Sequence, residues 1–170
     1  YHNWQNETPF FHHELLHFYM KQLHKSNSWY ESESLLLNLW EEGLAVYISH
    51  LLNPNASYTE LSLEIPEGMP ECVWKRRASL ANDLAAKLSC DDEDVYGSYF
   101  TGWSLDGEVP GRAGYFIGFV VINELAKQHS LTDLLKPSSD AKLLELIESQ
   151  LAKLAELPSD SYLPTPPSDV

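Results

Sequence analysis

The segment that most restricts the fold is 34–52, which reads as one helix with apolar residues almost all the way round. Leu35, Leu36, Leu37, Leu39, Trp40, Leu44, Ala45, Val46, Tyr47, Ile48, Leu51 and Leu52 leave no polar face, so the helix must be enclosed by other elements. It stops at Asn53-Pro54, because proline disfavours a helical residue before it. Glu41 and Glu42 stand in its middle. A carboxylate taken into an apolar interior needs a compensating charge or hydrogen bonds, so acids on such a helix call for a cation unless they reach solvent at its edge.

The rest of the chain also reads as helices, giving a mainly α fold. Thr8-Pro9 is a start signal, with Thr8 as the capping hydroxyl and Pro9 at the first helical position, for a helix over 8–25. Phe10, Phe11, Leu15, Phe18, Tyr19 and Leu23 carry its pattern. Residues 55–70 predict a loop with a short extended piece at 61–65, and 71–89 a third helix. The acidic run Asp91-Asp92-Glu93-Asp94 predicts a solvated loop, because it lacks the spaced ligands of a calcium site. The stretch 95–111 is rich in Gly and Tyr, and a fourth helix follows over 112–128. Ser130 and Asp133 suit a capping box. Leu143, Leu144, Ile147, Leu151 and Leu154 stripe a last helix over 140–157, and the Pro- and Ser-rich 158–170 predicts a disordered tail.

The residues His13-Glu14-Leu15-Leu16-His17 carry the chemistry. At about 100° per residue, His13 and His17 point within about 40° of each other, one turn apart. Their Cβ atoms then lie about 5–6 Å apart, and converging rings can bring two nitrogens to the spacing of just over about 3 Å that bonds of about 2.0–2.1 Å to one zinc require. Glu14 falls on the same side, flanking such an ion without competing for it, which is the position of a base. His12 points away. His24 shares the stripe but sits about 10 Å further along the axis, too far for the same ion. His50 suits packing or a cleft wall, and His129 a helix C-terminus.

A third ligand has to come from elsewhere, and Glu41 and Glu42 are suitably placed. His17 lies about eight residues before the end of its helix and one of these acids about eight after the start of the next. In an antiparallel hairpin both stand about 12 Å from the turn. Helical periodicity does not choose between the two. A di-iron carboxylate bundle fits less well, because Glu14-x-x-His17 has no second Glu-x-x-His partner.

With Leu39-Trp40-Glu41-Glu42-Gly43-Leu44-Ala45 added, the sequence resembles the gluzincin metallopeptidases, in which a Glu in a W-x-E-G-[LF]-A-like segment completes a zinc site. Leu52-Asn53-Pro54 and the stretch from Pro110 to Gly118 look like blocks of the poorly characterised zinc-dependent proteases of that clan, so the likeness spans about residues 10–135. It implies zinc at His13, His17 and Glu42, the residue before glycine, with Glu14 as catalytic base. It implies too that a downstream Tyr or His faces the oxyanion. Tyr115 is the candidate, and Arg112, one turn earlier, could serve instead or could hold a substrate carboxylate. The chain departs from thermolysin-like enzymes in a longer interval from His17 to Glu42. The Asp expected after the ligand Glu to hold a histidine is replaced by Val46. The β-sheet that usually precedes the first helix is missing, as it would be from a processed product or a segment beginning at Tyr1.

The resulting expectation is a zincin-like catalytic segment over 1–157, with zinc as cofactor and a peptide or protein as substrate. Its rivals are an inactive, zinc-stabilised binding protein and a metal-free helical interaction module. Asp and Glu number 25 against 11 Lys and Arg, for a net charge of -14. That surface repels phosphate backbones and anionic headgroups, which argues against nucleic-acid and membrane-surface partners. No apolar run reaches the roughly 18 residues of a membrane span. Cys72 and Cys90 allow at most one disulfide. The sequence assigns neither oligomeric state nor compartment, with a lean towards a bacterial periplasmic or secreted setting.

Overall fold

The computed structural model describes residues 7–164, and among these every regular element is helical. The order is α1 Thr8–Leu23, a 3-10 turn Ser28–Glu31, α2 Leu35–Leu52, α3 Met69–Lys75, α4 Arg77–Lys87, α5 Glu93–Phe100, α6 Ala113–Leu125, α7 Leu131–Leu135 and α8 Asp140–Glu156. No described helix is long and apolar enough to cross a membrane.

Helix α2 is the central element. Ser34 caps it by accepting from the amide of Leu37, and eleven of its residues are buried. It packs against α1 on one side and α6 on the other, while α4 lies on α8 and α3 and α5 lie against α6. The crossing of α2 and α6 is possible because glycine faces glycine. A Cβ on Gly43 would fall 2.5 Å from the backbone carbonyl of Gly118, so any larger residue there must separate the helices. Helix α1 runs back along α2: Ser49 Oγ donates to the carbonyl of Pro9 at one end, and His17 meets Glu41 at the other.

The apolar residues that mark α1 as a helix mostly face outward. Phe10, Phe11, Leu15, Phe18 and Tyr19 are exposed, Phe18 by 65%, whereas Pro9, Leu16 and Met20 are buried. Histidines occupy part of the inner stripe, so that face cannot be wholly apolar. Glu7, not Thr8, stands at the N-cap, and it makes no side-chain capping bond.

Other boundaries differ from the sequence reading for identifiable reasons. The third helix divides at Arg76: Arg77 Nη1 donates to the carbonyl of Trp74 and closes α3, while Arg76 reaches the carbonyls of Gly107 and Glu108. The acidic run opens a helix instead of forming a loop. Asp92 caps α5 through the amide of Asp94, and Glu93 and Asp94 occupy the first turn, where negative charge suits the helix dipole. Residues 61–65 make turns, with Leu61 and Leu63 buried, and no strand. The capping box at Ser130 and Asp133 is present with both bonds. Leu143, Ile147, Leu151 and Leu154 are buried on α8.

Residues 158–164, expected as the start of a disordered tail, lie against the helices. Trp74 Nε1 donates to the carbonyl of Ser161, Arg77 to those of Leu157 and Pro158, and Leu163 packs on the core. The tail beyond 164 falls outside the described residues. Cys72 and Cys90 are both free thiols.

Candidate metal centre

Two adjacent glutamates on α2 diverge by about 100°, one helical step, and each takes a different edge of the same histidine. Glu42 Oε2 lies 3.2 Å from His13 Nε2 and 3.4 Å from His17 Nε2, and the two imidazole nitrogens are 3.2 Å apart. Glu41 Oε1 sits 2.8 Å from His17 Nδ1, and Tyr30 donates its hydroxyl to Glu41 Oε2 at 2.6 Å. His17 is therefore held from both sides, by Glu41 through Nδ1 and by the cluster through Nε2.

The three inward atoms form a nearly equilateral triangle. Bonds of about 2.0–2.1 Å in tetrahedral geometry put ligand atoms about 3.3–3.4 Å apart, so the triangle matches what zinc requires. Glu42 Oε2 is buried and, despite its two close imidazoles, makes no hydrogen bond of acceptable geometry. The two imidazole nitrogens hydrogen-bond to each other instead, and the three atoms stand within 4.8 Å of one another. His13, His17 and Glu42 could thus hold a metal ion.

The electrostatics favour a cation at that centre. Burial pulls the His17 imidazole down, but its bond to Glu41 and the close Glu42 carboxylate outweigh burial and lift it to about 10. Burial pushes the Glu42 carboxyl up, and the two histidines more than reverse this, leaving it at about 2. In the metal-free chain a proton on His17 supplies positive charge at the place where an ion would sit.

Glu14 is exposed and shares a cleft of about 260 Å³ with His13, Arg112 and Tyr115, walled by Phe10, Leu61, Ile65 and Trp103. The Tyr115 ring lies 6.2 Å from that of His13, with Phe100 packed edge-on against it at 5.4 Å. Burial and the nearby Glu42 raise the Tyr115 phenol to about 12, so its hydroxyl keeps its proton. Gly114 admits the Phe100 ring, since a Cβ there would stand 2.6 Å from its carbons. The Arg112 guanidinium lies over the other side of the site, 4.4 Å from the Tyr115 ring centre.

Six candidate residues thus converge where the middles of α1 and α2 meet the start of α6. The other histidines lie elsewhere. His12 Nδ1 accepts from Asn53, and buried His24 donates Nε2–H to the carbonyl of Leu135 while accepting from Asn27. His50 packs edge-on against Phe119. The sequence reading did not find the role of Glu41 as partner of His17, or Tyr30 behind it. Glu41 supplies the histidine-holding carboxylate that Val46 cannot, and its place beside Glu42 was the available signal. Tyr30 lies in a short turn with no periodicity to mark it. Tyr96, whose phenol is raised by burial and by the nearby Glu42, stands on α5 in a stretch the sequence marks only as rich in Gly and Tyr.

No family model, no curated protein and no solved structure matches this chain.

Proposed function

We propose that the chain is a zinc-dependent peptidase, with zinc held by His13, His17 and Glu42. The observation that carries this reading is the triangle of donor atoms at 3.2, 3.2 and 3.4 Å, one corner of it a buried carboxylate oxygen without a hydrogen bond, beside a cleft lined by His13 and Glu14. When bound, zinc would polarise a substrate carbonyl and bring the pKa of a water towards about 7. The protein's own groups supply the rest. Glu14, next in sequence to His13 and on the cleft wall, accepts a proton from the attacking water and returns it to the leaving amine. Tyr115, protonated at all relevant pH, donates its hydroxyl to the carbonyl oxygen as negative charge develops there. Glu41, backed by Tyr30, fixes the His17 ring so that Nε2 faces the centre.

Metal analysis of the purified chain, followed by digestion of a mixed peptide library, tests the reading. About one zinc per chain is expected, removed by Glu42→Ala and retained by Glu41→Ala. Cleavage by the wild type is expected to vanish in Glu14→Gln with zinc content unchanged. Zinc without any cleavage makes the chain a zinc-stabilised binding protein, and no metal at all makes it a helical interaction module.

A further inference from the structure

The surroundings of Arg112 are unusual for a cation in so acidic a chain. Asp and Glu outnumber Lys and Arg by 25 to 11, yet its side chain makes no hydrogen bond or ion pair with any described residue. Its Nε is buried without a partner. Arg76 and Arg77, by contrast, spend their guanidinium groups on backbone carbonyls. Arg112 also caps α6 in the left-handed conformation, φ 64° and ψ 14°, which a non-glycine residue adopts at a cost. The guanidinium is stacked on Tyr115 and lines the cleft beside His13 and Glu14. Stacking fixes the plane of the fork and leaves its N–H edge free, the arrangement that pairs with a carboxylate through two parallel bonds.

We propose that Arg112 receives the α-carboxylate at the C-terminus of a peptide, so that the cleft takes chain ends and releases the last one or two residues. This rests on the zinc peptidase reading for the bond cleaved, but not for the binding. The Tyr115 ring is 6.2 Å from the His13 ring and 4.4 Å from the guanidinium, so it neighbours both the metal triangle and the anion subsite. At about 3.3–3.6 Å of chain per residue, contacts that short leave room for only a few residues between the scissile carbonyl and the terminal carboxylate, and the proposal takes one or two. Hydrolysis adds the oxygen of water to the acyl carbon, breaks the C–N bond and delivers the proton to the departing amine. The apolar walls, Leu61, Ile65 and a Trp103 that is 73% exposed, suit a large apolar terminal side chain.

Matched peptides ending in a free acid or in an amide test this on the zinc-loaded protein, with products read by mass spectrometry. The expected result is a preference for the acid of about 10²-fold in kcat/KM, because a site built to bond one polar group rejects the analogue that lacks it. The products should be the last one or two residues. Arg112→Gln should bring the ratio to within about threefold, and Arg112→Lys should restore part of it, with zinc content unchanged in both. Equilibrium binding of an N-acetyl dipeptide acid and its amide, measured by calorimetry on the zinc-free and zinc-loaded protein, needs no turnover. Acid-selective binding lost in Arg112→Gln supports the subsite even if no peptide is cleaved, in which case only the peptidase reading falls. Equal binding of acid and amide by the wild type, or selectivity that survives in Arg112→Gln, overturns it.

Discussion

Replacing Glu41 with glutamine separates holding a histidine from holding a metal. The amide is isosteric. Its oxygen can still accept from His17 Nδ1, now 2.8 Å from Glu41 Oε1, and its NH2 can donate to the Tyr30 oxygen that at present donates to Oε2 at 2.6 Å. Geometry is therefore kept and charge is lost. Two consequences oppose each other. Removing the partner that orients a metal-binding histidine typically lowers metal affinity by about 10–100-fold. But the proton that zinc must expel from His17 is held with a pKa of about 10, because the bond to Glu41 and the close Glu42 carboxylate overcome the effect of burial. At pH 7 that proton handicaps zinc by roughly three orders of magnitude. Glu41→Gln lowers the pKa and returns part of the handicap. The loss of affinity should thus be small near pH 7 and widen as pH rises towards 10. Zinc affinity measured by competition with a chromophoric chelator at pH 7, 8 and 9.5 reads this directly. A loss well beyond about 10²-fold at every pH would make Glu41 a ligand. No loss at pH 9.5 would mean that its bond to His17 does not support the site.

Tyr115→Phe should leave zinc content and Tm nearly unchanged while lowering kcat by about 10²-fold with KM little altered, as steady-state kinetics on a cleaved peptide would show. Gly43→Ala puts a Cβ 2.5 Å from the Gly118 carbonyl, whereas ordinary contact needs about 1 Å more. It should cost about 1–3 kcal/mol or more, read as a Tm lower by several degrees, and it should weaken zinc binding because Glu42 is the next residue. The metal-free protein should be most stable to heat, as far as this cluster governs it, between about pH 4.5 and 6.5. His17 rises from 6.5 to about 10, so its contribution is complete below 6.5 and is lost as pH climbs through 10. Glu42 falls from 4.5 to about 2, so its contribution is complete above 4.5 and is lost as pH drops through 2. Tm measured against pH in the presence of a chelator checks both limbs, and a curve rising steadily from pH 6 to 10 would contradict the first.

The sequence by itself determined the helical class, the central place of α2 and the pairing of His13 with His17. All three follow from local rules: an apolar pattern without a polar face must be enclosed, and residues four apart share one side of a helix. Local rules also placed the cap at Ser130, where a hydroxyl can reach an amide three residues on. Where tertiary partners compete with local preference, reading along the chain fell short. Arg77 ends α3 by binding Trp74, and Asp92 turns an acidic stretch into a helix start. The outward face of α1 is apolar, although hydrophobic patterning alone would send it inward, because the inner stripe is partly given to histidines. Helical periodicity left Glu41 and Glu42 equivalent, the resemblance pointed to Glu42, and the tertiary structure shows where each carboxylate goes. They are neighbours in sequence, and one helical step sends one carboxylate to His17 Nδ1 and Tyr30 and the other to the centre shared with His13. That choice depends on the angle and height at which α1 packs on α2. The angle and height are set by every side chain between the two helices at once, and no pattern along either helix encodes them.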